Sequence, residues 1–241
     1  VVLGADTTTP DLNYRNLDPP DVLVVNDDDE IPGLKVSAAS GATTESKGTV
    51  FFTVKLLSKP SSTVRLNLSS SDTGEGQVTA ISGNNVNIAS TGTSYLEFLT
   101  TDWSSERSVT VKGQNDDIRD GNQAYRVTVW VDQANTSDSG YDPLDNVSVL
   151  LSNVDDDSAG FLVSPISGTV SEKQTSANFS VRLASEPNGN VVLKAASDNN
   201  SEAGVSPVSF TFNSTNWSGE QAFTITGVDD SVNNGDQSFR I

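Results

Sequence analysis

The residues able to do chemistry in this chain are its carboxylates. The 241 residues include 32 Asp and Glu against 14 Lys and Arg, a formal net charge of −18, and they include neither Cys nor His. A chain without Cys and His has no disulfide, no thiolate or imidazole metal ligand and no imidazole base. Carboxylate oxygens are the ligands preferred by hard cations such as Ca²⁺. The composition therefore points to calcium as the cofactor, if the chain has one.

Candidate calcium ligands occur in three groups along the chain. The central group is Glu45, Asp72, Asp116, Asp117, Asp155, Asp156 and Asp157, with Glu75 nearby. The C-terminal group is Glu172, Asp198, Asp229 and Asp230, with Glu202 nearby, and the N-terminal group is the run Asp27, Asp28 and Asp29. Taken alone, a single Asp run favours a solvated linker, because Asp is a good turn residue. Its recurrence at matched positions favours calcium binding.

Those matched positions come from an internal repeat. With an offset of 127, residues 52–56 (FTVKL) match 179–183 (FSVRL) and Glu45 matches Glu172. Further along, the offset is 114 and pairs Trp103 with Trp217, Gly113 with Gly227 and Tyr125 with Phe239, and we expect Asp116 and Asp117 to match Asp229 and Asp230. The first copy therefore carries about 13 extra residues, which we place in a loop or hairpin within 81–95.

A third, partial copy is expected at the N-terminus. Asp18-Pro19-Pro20-Asp21 and the Asp run after it resemble the stretch from Asp142 to Asp157. We therefore divide the chain into residues 1–29, the terminal strand segment of a preceding repeat; 30–157, a complete repeat; and 158–241, a repeat lacking its last strand. The chain begins at Val1 without Met, and we expect it to be processed or part of a longer polypeptide.

All the regular elements are predicted to be strands. Period-two alternation and β-branched residues mark strands at 49–56, 63–68, 108–112 and 125–131, and the second copy repeats the pattern. Short strands separated by Gly, Asn and Asp indicate an antiparallel β-sandwich, and a unit of about 114 residues has room for about seven strands. The predicted fold is all-β: tandem immunoglobulin-like β-sandwiches.

The repeat pattern resembles the Calx-beta repeats of large bacterial surface proteins. The resemblance rests on the early Glu45, the FTVKL-type strand, the stretches SSSDTGEG, TDWSSERSVTVKG and NDDIRDGNQAY, and a closing Asp run. It implies tandem immunoglobulin-like sandwiches with calcium near the junctions between them. It also implies that Glu45, the Asp116 pair and the closing Asp run lie at one end of the sandwich.

These features lead to an expected structural function. We expect an extracellular or cell-surface stalk, fibre or matrix module without enzymatic activity, whose partners are copies of itself head-to-tail or further repeats of one polypeptide. In the head-to-tail case the N-terminal segment would complete the last repeat of a neighbour. The alternative is an adhesin that binds a host or polysaccharide ligand through loops such as 81–95. The acidic charge argues against nucleic acid, and no apolar run is long enough to enter a membrane.

Overall fold

The computed structural model describes residues 3–4, 7–15, 17–90 and 92–241 and shows an all-β protein. Five residues of the predicted N-terminal segment and Thr91 of the predicted insertion lie outside the described residues. Among these described residues, the first unit contains ten strands: β1 (Leu34–Val36), β2 (Thr43–Thr44), β3 (Thr49–Leu56), β4 (Val64–Ser70), β5 (Gly76–Ile81), β6 (Val86–Asn87), β7 (Ser94–Phe98), β8 (Arg107–Gly113), β9 (Gln123–Val131) and β10 (Val147–Val154). Within the described residues, no helix is long and apolar enough to cross a bilayer.

The first unit is built from two sheets around one core. One sheet has the strand order β1-β3-β8-β5 and the other has the order β2-β10-β9-β4-β7-β6. The strand pairs are antiparallel except that β2 runs parallel to β10. The predicted all-β antiparallel sandwich is confirmed. The long strands β9 and β10 carry the chain from one end of this sandwich to the other, and β10 leads into the closing Asp run.

Period-two alternation explains why these residues form a sandwich. In β3, Val50, Phe52, Val54 and Leu56 point into the core, and the residues between them are exposed or half-buried. In β8, Val109 and Val111 are inward in the same way. Successive side chains of a strand point to opposite faces, so one apolar set per strand is enough to cover one face of the core.

The second unit has fewer strands and a smaller core. Its strands are β11 (Phe161–Val163), β12 (Ser167–Ser171), β13 (Thr175–Leu183), β14 (Val191–Lys194), β15 (Ala203–Ser206), β16 (Ser209–Phe212) and β17 (Gln221–Gly227). Four of them form the sheet β11-β13-β17-β15, with β12 on β13, while β14 pairs with β16. Its cluster of buried apolar residues is Val181, Leu183, Phe212 and Phe223. Among the described residues no strand corresponds to β9 or β10.

The strand registers fix how the two units correspond. Leu34 lies opposite Leu56 in the first unit and Phe161 lies opposite Leu183 in the second, which confirms the offset of 127. Later in the unit, Ile118 N–H donates to Asp116 Oδ1 and Val232 N–H donates to Asp230 Oδ1, both at 2.7 Å.

The offset of 114 therefore pairs Asp116 with Asp230. The expected match of Asp116 and Asp117 with Asp229 and Asp230 is one residue out of register, because Asp229 stands at the position of Asn115 and Ser231 at the position of Asp117.

The predicted insertion at 81–95 contains a short hairpin. Strand β6 pairs antiparallel with β7 through Val86 opposite Leu96 and Asn87 opposite Tyr95. The Tyr95 ring is covered by the Arg65 guanidinium, whose central carbon is 4.1 Å from the ring centroid. Tyr95, the aromatic residue of 81–95, is therefore in contact with Arg65 on the neighbouring strand β4.

Candidate metal centre

The site is organised by a buried carboxylate, Glu45, in the turn between β2 and β3. The residue is 2% exposed. Its N–H donates to the Val154 carbonyl at 3.1 Å, and its Oε2 accepts the Asp156 N–H at 3.0 Å. The parallel pairing of β2 with β10 brings these residues together although more than a hundred residues separate them in the chain. The position of Glu45 is therefore set by the sheet and not by its neighbours in sequence.

Around Glu45 lies the first acidic cluster, which consists of Glu45, Asp155 and Asp157. One carboxylate oxygen from each lies within 4.8 Å of the others. Asp155 is held in place because its oxygens accept the N–H groups of Gly121 at 2.6 Å and Asp157 at 2.8 Å. The Oδ2 atom of Asp157 is buried and has no hydrogen-bond partner. A buried carboxylate oxygen without a donor is the arrangement that a cation would complete.

A second acidic cluster lies beside the first and consists of Glu75, Asp116 and Asp120. Their carboxylate oxygens also lie within 4.8 Å of one another. Glu75 Oε2 accepts a hydrogen bond from Asn153 Nδ2 at 3.2 Å, and the same amide donates to the Gln114 carbonyl at 2.8 Å. Strand β10 therefore contributes to both clusters: Asn153 touches the second one, and the Asp run after the strand forms part of the first.

The pKa values record how closely the acids are placed. Burial raises the pKa of the Glu45 carboxyl, and the charges of Asp116, Asp155 and Asp157 raise it further, against the lowering effect of the Asp156 N–H. Burial likewise raises the pKa values of Glu75 and Asp157, and neighbouring carboxylates add to both shifts. At an effective dielectric constant of about 20, two ionised carboxylates within 4.8 Å repel by about 3.5 kcal/mol, and by much less where one of them is exposed, as Asp120 is.

These shifts predict how stability depends on pH without calcium. A carboxyl whose folded pKa is raised contributes stability that is lost as the pH rises from its unfolded pKa, 4.5 for Glu and 3.8 for Asp, through the higher folded value. In EDTA we therefore expect the urea midpoint to rise as the pH falls from neutral toward the unfolded pKa of these carboxyls. With calcium in excess the trend should reverse, because protons compete with the cation for the same oxygens.

Acid destabilisation should appear only at lower pH. Burial acts to raise the pKa of Asp138, but hydrogen bonds from the N–H groups of Gly140 and Ser61 outweigh it and hold the pKa below 3.8. Stability from that carboxylate is lost only as the pH falls through this lower range. A urea midpoint in EDTA that decreases steadily as the pH falls from neutral toward 4.5 would contradict the raised pKa values of the clustered carboxyls.

The loop that carries Asp116 also meets the second unit. The Asp117 carbonyl accepts the Glu186 N–H at 2.6 Å, and Ile118 and Glu186 form an isolated parallel bridge. This loop therefore carries a carboxylate of the second cluster on one side and contacts the next unit on the other. A cation bound by Asp116 would restrain the same loop that holds the units together.

The other predicted ligands of the first unit lie outside the two acidic clusters. Asp117 and Asp156 are exposed at the edge of the first cluster, and the Asp117 charge raises the pKa of Asp157. Asp72 is outside both clusters; its Oδ1 accepts the Gly74 N–H at 2.8 Å, the contact of a turn residue.

In the second unit the predicted ligands do not form a cluster of three among the described residues. Glu172, Asp198, Asp229 and Asp230 are all exposed. Asp198 Oδ1 accepts the Arg240 N–H at 2.7 Å and stands at the position of Ser71, so it is not the counterpart of Asp72.

The N-terminal run is fully exposed, and its close group is Asp28, Asp29 and Glu30. Asp27 is outside that group. The Glu30 N–H donates to Asp28 Oδ1 at 3.3 Å, as the Asp157 N–H donates to Asp155 Oδ1, so Asp28 corresponds to Asp155 at the offset of 127. The true counterpart of the closing Asp run therefore starts one residue after Asp27.

Sequence reasoning did not single out Asp120 or Asn153. Asp120 follows Asp116 by four residues and precedes Gly121, whose positive φ of 78° turns the chain back toward Asp155. The spacing of NDDIRDG is the signal that would have found it. Asn153 reads as an ordinary strand residue in sequence, and only its burial, at 1% exposed, shows that it faces the acids.

The donor set fits Ca²⁺. All the side chains of the two clusters offer oxygen, and the available carboxylates exceed what a single cation needs for charge neutralisation. Glu45, Asp155 and Asp157 would hold one cation, and Glu75, Asp116 and Asp120 would hold another.

Comparisons with known proteins find similarity among solved structures. No protein-family model matches the chain, and no curated protein matches it. Among solved structures, the chain is similar to the structure titled surface layer protein SbsC, domains 4–9, with 15% sequence identity and a TM-score of 0.30. That match covers 82% of this chain and 27% of the other, so the chain spans about a quarter of the length of that structure.

Proposed function

We propose that this chain is a calcium-binding structural module of the Calx-beta type, from an extracellular stalk, fibre or matrix protein. The observation that carries the proposal is the buried Glu45 facing Asp155 and Asp157, one of which has a buried oxygen with no hydrogen-bond partner. A second acidic cluster shares the loop that contacts the next unit. Calcium at these positions stiffens the junction between consecutive units, and no catalytic step is part of the proposal.

The proposed partners are further units of the same kind. They belong to one longer polypeptide or to copies joined head-to-tail by strand complementation. The oxygen-rich clusters support an extracellular setting. Calcium is millimolar outside cells, and that concentration suits oxygen-rich sites of moderate affinity. Stiffening follows from charge: without a cation the carboxylates of each cluster repel, and with one they are drawn to a common centre.

The proposal is tested by calorimetric titration of the 241-residue chain with Ca²⁺. We expect calcium to bind well above Mg²⁺ in affinity, because clustered carboxylates on flexible loops suit the larger ion. The variant Glu45→Gln should weaken binding at the first cluster by about tenfold or more, since it removes one charged ligand while keeping an oxygen to accept the Asp156 N–H.

Glu106→Gln is the matched control. It makes the same chemical change at a side chain that is 54% exposed and 3.8 Å from Lys55, away from both clusters. Calcium binding should be unchanged in this variant. If the wild-type chain gives no heat of calcium binding, or if the two Gln variants bind equally, the proposed calcium module is wrong.

A further inference from the structure

We infer that the peptide bond between Asp142 and Pro143 is a self-cleavage site, at which the Asp142 carboxyl group cuts the chain. The inference goes beyond the proposed function, because it assigns a covalent processing step to a loop outside the metal centre. Asp142 lies between β9 and β10, in the loop 132–146 of the first unit. The reaction occurs once in each chain and uses only the chain itself and water.

The first observation is a buried carboxyl oxygen without a partner. Four buried side-chain atoms of the described residues have no hydrogen-bond partner: Arg107 Nε, Asn153 Oδ1, Asp157 Oδ2 and Asp142 Oδ1. Asn153 and Asp157 belong to the metal centre, and Arg107 Nη2 donates to Asp102 Oδ2 at 2.6 Å. Asp142 Oδ1 belongs to neither arrangement. A buried polar atom left unsatisfied costs free energy, so this oxygen calls for an explanation such as a chemical role.

Burial makes this oxygen a suitable nucleophile. A carboxyl oxygen without water or an N–H donor to stabilise it is more reactive than a solvated one. Carboxylates of Asp act as covalent nucleophiles in enzymes. The carbonyl carbon of Asp142 belongs to the same residue, so the attack is intramolecular and has the large advantage of proximity.

The carbonyl group under attack has its own hydrogen-bond donor. Gln133 Nε2 donates to the Asp142 carbonyl oxygen at 2.7 Å. Negative charge develops on that oxygen as the carbon is attacked, and a fixed donor stabilises the charge. Gln133 follows the end of β9, where its own N–H donates to the Val131 carbonyl at 3.1 Å. The donor is therefore attached to the sheet.

The residue after Asp142 supplies a good leaving group. Pro143 has no N–H, and the bond that joins it to Asp142 is a tertiary amide. When that bond breaks, the nitrogen becomes a secondary amine, which takes up a proton readily. A secondary amide at the same place would leave less easily.

The proposed step conserves atoms and electrons. Asp142 Oδ1 bonds to the Asp142 carbonyl carbon, and the C–N bond to Pro143 breaks with its electron pair on the nitrogen. The carboxyl proton moves to that nitrogen, so the products are a cyclic anhydride at Asp142 and a free amine at Pro143. Water then adds to the anhydride and opens it to two carboxyl groups, and nothing is oxidised or reduced.

A turn anchored in the core holds the reacting groups. Leu144 N–H donates to the Tyr141 carbonyl at 3.2 Å, so Asp142 and Pro143 are the central residues of a turn. Tyr141 is 1% exposed, and its hydroxyl donates to the Ser58 carbonyl inside the first unit. The residue before the cleavage site is therefore fixed, which limits how far the nucleophile and the carbonyl can move away from each other.

The repeat shows that the turn itself does not need Asp-Pro. Residues 14–17 form the corresponding turn, in which Leu17 N–H donates to the Tyr14 carbonyl at 3.2 Å. At the offset of 127, Arg15 stands at the position of Asp142. Since the same turn forms with Arg, the Asp-Pro pair is a particular feature of the loop 132–146 and not a requirement of the fold.

Cleavage would leave β10 in place without its covalent link to β9. Seven residue pairs join β10 to β9 and two join it to β2, so the strand stays in the sandwich by hydrogen bonding and packing. Glu45 then lies on the N-terminal fragment, whereas Asp155 and Asp157 lie on the C-terminal one. The first acidic cluster thereby becomes a junction between two chains.

Electrospray mass spectrometry of the whole chain in mildly acidic buffer tests the inference. The Asp18–Pro19 bond is an internal reference, because it is the same dipeptide in an exposed segment. We expect the fragments 1–142 and 143–241 to accumulate about tenfold faster or more than the fragments 1–18 and 19–241. In concentrated urea the two bonds should be cleaved at similar rates, since the advantage comes from the fold.

Three variants test the assigned groups. Asp142→Ala should abolish cleavage after residue 142 and leave the reference bond unaffected. Gln133→Leu should slow cleavage about tenfold or more, because it removes the donor to the carbonyl. Gln77→Leu is its matched control, since that amide donates to the Thr73 carbonyl at 3.1 Å and not to Asp142. Gln133 is exposed and Asp142→Ala removes an unsatisfied oxygen, so the fold should persist, as Trp fluorescence checks.

The outcomes decide the inference clearly. Equal cleavage rates at the two Asp-Pro bonds of the native chain overturn it, and so does a rate advantage that persists in urea. Cleavage after residue 142 in Asp142→Ala also overturns it, because a contaminating protease would then be the cause. A wild-type rate in Gln133→Leu overturns the role of the amide. Calcium binding is measured separately on the intact chain, so none of these results bears on the proposed function.

Discussion

Calcium is expected to raise the free energy of unfolding of the first unit by about 2.7 kcal/mol when its free concentration is about a hundred times the dissociation constant. The gain arises because the folded unit gathers Glu45, Asp155 and Asp157 and the unfolded chain does not. The measurement is urea unfolding of the 241-residue chain in calcium and in EDTA, followed by Trp fluorescence, since Trp103 packs on the first core and Trp217 on the second.

The variant Glu45→Gln gives this prediction an internal control. In EDTA the substitution should raise stability, because it removes a buried charge that its neighbours repel and keeps an acceptor for the Asp156 N–H. In calcium it should lower stability relative to the wild-type chain, because a charged ligand is missing. The sign of the effect therefore changes with calcium. A substitution that destabilises the unit equally in both buffers would show that Glu45 is structural only.

In dilute solution the second unit should gain much less from calcium. Its acids are exposed and form no cluster of three among the described residues. The part of the unfolding curve reported by Trp217 should therefore shift little when calcium is added. A shift as large as that of the first unit would mean that the second unit closes its own cation site.

The fold was predictable because its signal is local. The alternation in β3 and β8, together with the turn residues between strands, indicates an antiparallel sandwich before any contact is known. The repeat then transfers strands such as β3 and β8 of the first unit to their counterparts β13 and β17 in the second. The pairing of β2 with β10 carries no such signal, since β2 has two residues and pairs in parallel with a strand far along the chain.

The candidate site was only partly predictable, because the contacts that form it join residues far apart in the sequence. Asp runs show where carboxylates are abundant, but the sheet register decides which oxygens converge. Glu45 and Asp157 meet because β2 and β10 run side by side, whereas Asp72 folds onto its own turn. The match of residues 11–30 with 138–157 at the offset of 127 was also missed, although nine of the 20 positions are identical. The reason is that Asp18-Pro19 and Asp142-Pro143 match at an offset of 124, and the two runs of three Asp match at an offset of 128. The match at 127 becomes clear in the hydrogen bonds.

Replacing Gly113 with Ala is expected to destabilise the first unit by about 1–3 kcal/mol or more and to weaken calcium binding at the same time. Gly113 ends β8 directly beneath the turn that leads to Glu45. A Cβ there would collide with the Thr44 carbonyl and would lie 2.5 Å from Asn153 Oδ1. Both obstacles belong to the strands that build the metal centre, so relieving the clash displaces its ligands.

Gly204→Ala is the control, since a Cβ at that position meets nothing within 4 Å. It should leave stability and calcium binding close to wild type, as measured by urea unfolding and calorimetry. The repeat supports the steric argument, because Gly227 is the counterpart of Gly113 and a Cβ there would collide with the carbonyl of Ser171, the counterpart of Thr44. Stability lost in Gly113→Ala with calcium affinity intact would mean that the turn can move without Glu45, and that the site is less rigidly tied to the sheet than its hydrogen bonds indicate.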